Sequence, residues 1–461
     1  MIESSGRGYV DCYKKSHIRR EMGYNTRKCA ACPAYSVQYP DYEIATCDGT
    51  VMSYSKDFSL LKELLGQSRN IIEVGGCNIE ILKLPFVSRS ASILPGGDEY
   101  RFEDHCRYFV SQMEAKVEFS SPPVHEILHV LDSDIPENKA FFYPVFKQKS
   151  SPKASGAIIL IHGLNEKTWD KYLPWAKKLL ELTGKAVLLF PIAFHMNRAP
   201  KEWSNYRLMS RVSKERKKIF PTVVQSTFAN AAISTRLQLC PQRFFWSGLQ
   251  SYYDVIQLVR EIRSGQHTCI RKDASIDFFG YSIGAFLTQL LLMADPDRVL
   301  ERSRLFIFCG GPTMNRMSPV SRYILDSEAN IAIYSFYVEN FEEELKRDRR
   351  LADYFTSTSA EGQCFRAMLD YHKLADFRES RFREIGERIT ALGLDRDTVI
   401  PGYEITNTLK GREREIQIRI ETMDFPYQYT HEDPFPNWSR IMHAVDRSFS
   451  RVFRYAAKFF E

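Results

Sequence analysis

Ile276-Asp277-Phe278-Phe279-Gly280-Tyr281-Ser282-Ile283-Gly284-Ala285-Phe286-Leu287 is the stretch on which the reading of this chain turns. Ile276–Phe279 has the composition of a strand covered on both faces, and Ile283–Met293 that of a buried helix. Between them stands Gly-x-Ser-x-Gly, which places Ser282 on a tight strand-to-helix turn. A Cβ at either flanking position would crowd such a turn, so Gly280 and Gly284 have a steric reason to be glycine. The turn would lift the Ser282 hydroxyl above the sheet. The helix N-terminus would then aim amide groups and positive potential at any negative charge developing there. A buried turn serine without chemistry is the plainer alternative, and the strand and helix on either side argue against it.

Outward from this turn, apolar strands alternate with amphipathic helices. Ala157–Ile161, Ala186–Phe190, Leu305–Phe308 and Ile389–Leu394 read as strands. Trp169, Tyr172, Leu173, Ala176, Leu179 and Leu180 share one helical stripe, and a last helix spans Trp438–Phe459. Ser247-x-x-Gln250 has the form of a capping box opening a helix that Gly265 ends. Ala140–Phe146 reads as an edge strand because Pro144 cannot donate to a ladder. The alternation of Ile416, Ile418 and Ile420 predicts a half-exposed edge strand.

Repeated strand–helix–strand units predict an α/β fold, a mostly parallel sheet wrapped by helices. Residues 193–246 and 312–387 are too long for simple connections. Both follow strand carboxyl ends, where such sheets bind ligands, and are expected to form a cap. Residues 1–51, rich in Tyr, Arg and Cys, are expected to be a poorly ordered extension. Residues 52–137 are read as an accessory region and 138–461 as the main domain.

His162-Gly163-Leu164-Asn165 directly follows the strand Ala157–Ile161. With Gly280–Gly284, this pair resembles the α/β-hydrolase superfamily over about residues 140–460. The resemblance implies an oxyanion hole made by the backbone N–H groups of Leu164 and Ile283, with His162 orienting the loop. A plain turn glycine at Gly163 is the alternative.

A serine hydroxyl needs an imidazole to take its proton and an acid to orient that imidazole. Asp397, in Asp397-Thr398-Val399-Ile400-Pro401, looks like the acid turn of the superfamily, with Asp395 as its rival. His431 lies in the loop 425–436, and His443 in the last helix is the competing base. The order Ser282, Asp397, His431 is the one expected for an α/β-hydrolase. His195 follows a strand end and fits either substrate contact or loop structure. His162, Asn165 and Tyr281 are the other candidate substrate contacts.

Other features delimit the function. Basic and acidic residues number 63 and 57, giving a net charge of +6. They are interleaved rather than gathered on one face, which speaks against a nucleic-acid binder. Ten cysteines without repeating spacing, and no apolar leader, point to reduced thiols in the cytoplasm. No stretch is apolar enough to span a bilayer.

His125-Glu126-Ile127-Leu128-His129 matches the zinc-protease pattern, but Pro122-Pro123 and Asp132–Pro136 crowd it. Cys29-x-x-Cys32 is a single pair where a structural zinc site needs two. The leading expectation is therefore an esterase-like serine hydrolase acting on a small-molecule or acyl substrate without cofactor or metal. A non-catalytic binding protein and a zinc protease are the alternatives. Phe194, Trp203, Tyr323, Tyr334, Phe336 and Tyr337 in the two long insertions fit either an apolar acyl pocket or the insertions' own core. Oligomeric state is left open.

Overall fold

The computed structural model describes residues 53–96, 128–356 and 359–461. Helix α1 (Tyr54–Leu65) leads into a hairpin of β1 (Ile71–Val74) and β2 (Ile79–Val87), and β2 pairs antiparallel with β3 (Ala140–Gln148). After β4 (Ala154–Ile161) come α2 (Tyr172–Thr183) and β5 (Ala186–Phe190). The first insertion carries α3 (Tyr206–Ile219) and α4 (Ala231–Leu239), and α5 (Arg243–Arg263) returns the chain to β6 (Ile270–Tyr281). Helix α6 (Ile283–Ala294) starts directly after Ser282 and leads to β7 (Leu305–Phe308). The second insertion includes α7 (Ser327–Tyr334) and α8 (Ala360–Ala367), followed by β8 (Ile389–Leu394), β9 (Arg419–Met423) and the closing α9 (Met442–Phe460).

The nine strands form one sheet in the order β1-β2-β3-β5-β4-β6-β7-β8-β9, parallel from β5 onward. Every residue of β5, β7 and β8 is buried, as continuous apolar strands covered on both faces require. Successive residues of β4 point into different cores, as the two-residue strand period dictates. Ile159 and Ile161 meet the side built from α5 and α6, and Ile158 and Leu160 the side built from α1, α2 and α9.

Several expectations change in three dimensions. Residues 53–96 of the region read as accessory pack into the main domain. Met52–Glu461 form one compact unit, and β2 pairs with β3 along nine residues across the boundary read at 138. Helix α1 is tied down by Lys177, whose buried ammonium lies 3.1 Å from Asp57, and by the Tyr54 amide, which donates to Asp446 on α9. The β3 strand is not an edge. It lies between β2 and β5, but its pairing with β5 covers only Val145 and Phe146, so Pro144 leaves no gap in that ladder.

Ser247 and Gln250 do not cap a helix, because α5 begins one turn earlier, at Arg243. Ser247 bonds back to the Phe244 carbonyl, while Gln250 bridges Asn138 and Ser88 in a buried polar cluster. The edge strand starts at Arg419, and Ile416 and Ile418 are buried ahead of it. Cys269, Cys309 and Cys364 are free thiols, as expected, whereas Cys240 is disulfide-bonded and departs from the all-reduced reading. Residues 1–51 lie outside the described residues.

The two long insertions are joined by a buried pair. Arg216 of α3 donates to both carboxylate oxygens of Asp326 at 2.7 and 2.8 Å. Asp326 also caps α7 through the Ala329 amide, and its own amide donates to Ser234 of α4. Removing one member would strand a buried charge. Asp326→Ala is expected to cost about 3–5 kcal/mol of unfolding free energy by urea titration, with Arg216→Met on the same background restoring part of it. Equal stability of Asp326→Ala and wild type would show that this pair does not hold the insertions together.

Candidate active site

The turn after β6 holds Ser282 at φ 57° and ψ −121°, a conformation costly for any residue with a side chain. Its carbonyl accepts the Ala285 and Phe286 amides at 3.0 and 3.3 Å, so α6 begins at once. The steric argument for the flanking glycines holds at both. A Cβ on Gly280 would lie 2.6 Å from Ala285 Cα, and one on Gly284 would lie 2.3 Å from the Ile161 carbonyl oxygen. The second contact presses the start of α6 against the end of β4.

The structure brings Ser282, His431 and Asp397 together. His431 Nε2 lies 2.7 Å from Ser282 Oγ, and His431 Nδ1 lies 2.7 Å from Asp397 Oδ2. All three are buried, at 6, 3 and 4% exposure. The other carboxylate oxygen of Asp397 accepts the Val399 and Ile400 amides at 2.9 and 2.8 Å, which fixes the carboxylate plane. With Nδ1–H donating to Asp397, Nε2 is left to accept the serine proton. Asp395 is exposed and offers only its amide, to Met423, so it is not the partner. His443 is exposed on α9 and takes no part.

Tyr281 was read as a candidate substrate contact and serves otherwise. It is buried, its hydroxyl donates to the His431 carbonyl, and its ring stacks on the imidazole at 5.5 Å with 14° between planes. Lys171 lies over the other residues of this support, 4.8 Å from the Tyr281 ring centroid, and donates to the Glu432 carbonyl. Cys309, directly after β7, is buried beside Asp397, and burial together with that carboxylate holds its thiol protonated. Lys171 and Cys309 carried no motif that marked them in the sequence.

His162 and Asn165 are also structural. His162 Nδ1 bonds the Gly163 carbonyl at 2.8 Å, and its Nε2 accepts the Ile192 amide at 2.9 Å, so neither nitrogen is left for a substrate. The Asn165 side-chain amide donates to the carbonyls of Ala229 and Tyr323, one in each insertion. His195 accepts the Asn165 amide at 2.9 Å and bonds the Ala193 carbonyl at 2.8 Å. Its ring borders the cavity, but both nitrogens hold the loop. The backbone amides of Leu164 and Ile283 have no protein acceptor among the described residues, and both residues line the same cavity.

That cavity is walled by Phe244, Phe245 and Tyr252 of α5, Phe286 and Leu290 of α6, and Phe365 of α8. None of the six insertion aromatics, which fitted either an acyl pocket or the insertions' own core, lines it. Tyr323 and Tyr334 are exposed, and Trp203, Phe336 and Tyr337 are buried in packing. The early start of α5 is the reason, since it turns Phe244 and Phe245 towards the cavity. Among the described residues no cluster of His, Cys, Asp and Glu could hold a metal. His125 and Glu126 of the zinc-protease pattern, and Cys29 and Cys32, lie outside the described residues.

The strand order, the strained turn between two glycines and the Ser282–His431–Asp397 series define an α/β-hydrolase fold. The chain belongs to a family of unknown function, DUF6051, whose sequence model matches residues 52–461. No curated protein matches it. Among solved structures it is similar to carboxyl esterase 2 from the mycorrhizal fungus Tuber melanosporum, at 10% identity over 70% of this chain and 82% of that one, TM-score 0.38. An esterase from the archaeon Pyrobaculum calidifontis is 12% identical over 80% and 94% of the two chains, TM-score 0.36. Likenesses at these scores carry no weight for activity. Among the described residues, no helix is long and apolar enough to cross a membrane.

Burial holds His195 neutral, its pKa lowered to about 4, and also pushes His162 well below the usual imidazole range. A folded-state pKa below the unfolded value near 6.5 gives stability that is full above 6.5 and lost as pH falls towards 4. By this linkage His195 is expected to contribute about 2 kcal/mol less at pH 5 than at pH 7. Urea unfolding of wild type and His195→Gln should therefore show their stability difference shrinking over that range. A pH-independent difference would contradict the neutral, loop-holding role.

Proposed function

We propose that the chain is a serine hydrolase that cleaves a carboxylic-ester-type bond by two-step acyl transfer. The observation that carries this reading is the continuous series Ser282 Oγ, His431 Nε2, His431 Nδ1 and Asp397 Oδ2, with 2.7 Å at each junction, on a strained turn at a helix N-terminus. Ser282 Oγ attacks the carbonyl carbon as His431 Nε2 takes its proton. The tetrahedral oxyanion is held by the Leu164 and Ile283 amides, which have no other acceptor, and Asp397 stabilises the imidazolium. His431 protonates the departing alkoxide or thiolate, leaving an acyl-serine ester. Water, giving its proton to the same nitrogen, then attacks that ester and frees the acid and Ser282. The scheme calls on no cofactor.

The insertions at 193–246 and 312–387 act as the cap in this reading, supported by the way Asn165 ties the Leu164 loop to both. The partner is a small acyl substrate.

Labelling with a fluorophosphonate probe, followed by peptide mass spectrometry, tests the reading. Ser282 is expected to be labelled in wild type, and Ser282→Ala to lose both label and hydrolysis of 4-nitrophenyl acetate. Folded wild type that neither labels nor hydrolyses would end it. Asp397→Asn keeps acceptors for the Val399 and Ile400 amides but donates towards His431, favouring the wrong tautomer. Its kcat is expected to fall by roughly 10⁴-fold with melting temperature nearly unchanged.

A further inference from the structure

The cavity beside Leu164 and Ile283 has a length and a polarity that specify what fills it. Its α6 wall runs from Ile283, next to Ser282, to Leu290, roughly 10 Å at about 1.5 Å per residue. Most of the lining is apolar and matches a hydrocarbon chain. Two polar side chains in it do not. Tyr252 of α5 is 3% exposed, and its buried hydroxyl has no hydrogen-bond partner. Glu361 of α8 places a carboxylate in the same wall, accepts the Tyr253 hydroxyl, and among the described residues forms no ion pair.

The other polar groups of the lining are already paired. Ser247 bonds the Phe244 carbonyl, and both nitrogens of His195 hold backbone groups. The Tyr252 hydroxyl is close enough to feel the carboxylates of Glu361 and of Asp295, and Asp295 caps the far end of α6. A buried hydroxyl without a partner is unfavourable until something pairs with it, and the half-buried Glu361 carboxylate, which accepts only the Tyr253 hydroxyl, has room to receive a charged donor.

We propose that this cavity receives an acyl chain about 10 Å long that ends in a protonated primary amine. The ammonium donates to the Glu361 carboxylate and to the Tyr252 hydroxyl oxygen, while the methylenes lie along Phe286 and Leu290. An amine supplies the positive charge that Glu361 lacks and the donor that Tyr252 lacks. An alkyl terminus supplies neither. Phe245 and Phe365, also in the wall, offer ring faces that suit a cation. The substrate class is thus an ω-amino acyl ester, and the proposal rests on the acyl-transfer reading of Ser282.

The test compares 4-nitrophenyl 8-aminooctanoate with the isosteric nonanoate on wild type, Glu361→Gln and Tyr252→Phe. Wild type is expected to prefer the amino ester by at least tenfold in kcat/KM. Glu361→Gln should reduce that preference ratio at least thirtyfold and Tyr252→Phe severalfold. Because each enzyme is read as a ratio of two substrates, a general loss of activity or partial misfolding cancels. A wild-type preference for nonanoate, or a ratio unchanged in Glu361→Gln, overturns the proposal.

Failure of wild type to cleave these esters or the acetate would instead count against acyl transfer. Calorimetry with n-octylammonium and 1-octanol then decides the pocket separately. Binding of the ammonium at least tenfold tighter than the alcohol, and lost in Glu361→Gln, supports it. Equal binding refutes it.

Discussion

The constraint on which the site rests is the close packing of Gly284 against the end of β4. There the helix start meets the Ile161 and His162 carbonyls with no room for a Cβ. Everything around Ser282 depends on this contact. It lets α6 begin beside the loop that follows β4, so that the Leu164 and Ile283 amides border one cavity. It also lets Ser282 adopt a positive φ, which persists only where its surroundings over-determine it. Any larger residue would push the helix from the sheet and separate the two amides.

The rest of the site is held by groups that are themselves buried and committed. His431 rests on Tyr281, the residue before Ser282, so the proposed base and nucleophile are positioned by adjacent links of one chain segment. His162 and His195, despite lying near the reaction centre, are neutral spacers whose nitrogens each hold a backbone group. A charged imidazole at either place would turn an acceptor into a donor facing an N–H. The insertions reach the same loop through Asn165 and each other through Arg216 and Asp326, which couples the cover over the site to the site's own geometry.

The cavity shows the same economy with two exceptions. Its side chains are apolar or internally bonded except for the Tyr252 hydroxyl, which has no partner among the described residues, and the half-buried Glu361 carboxylate accepts the Tyr253 hydroxyl without an ion pair among them. Protein interiors normally pair such groups. In the proposed complex the ammonium of the acyl chain supplies that partner, which a plain hydrocarbon terminus would not.

Much of this was legible from local patterns. The buried strands, the Gly-x-Ser-x-Gly turn, the acid turn at Asp397 and the loop histidine at His431 all announce themselves through short-range chemistry. A strand-to-helix turn needs glycines, and an unbroken apolar run needs two covered faces. What stayed hidden depends on packing between distant segments. Pro144 looked like an edge because one strand cannot report how far its neighbour pairs with it. Ser247 looked like a cap because the true start of α5 has no side-chain cap. Tyr281, His162 and Asn165 looked available to a substrate until partners up to 158 residues away in the chain took the Tyr281 hydroxyl, the His162 nitrogens and the Asn165 side-chain N–H groups. Composition and spacing along the chain determined the fold class, and with the superfamily resemblance they marked Ser282, Asp397 and His431 as candidates, leaving Asp395 and His443 as rivals. Only the tertiary structure decided which polar groups are satisfied, and hence which remain open to a ligand, because a hydrogen bond between remote segments leaves no mark on the sequence between them.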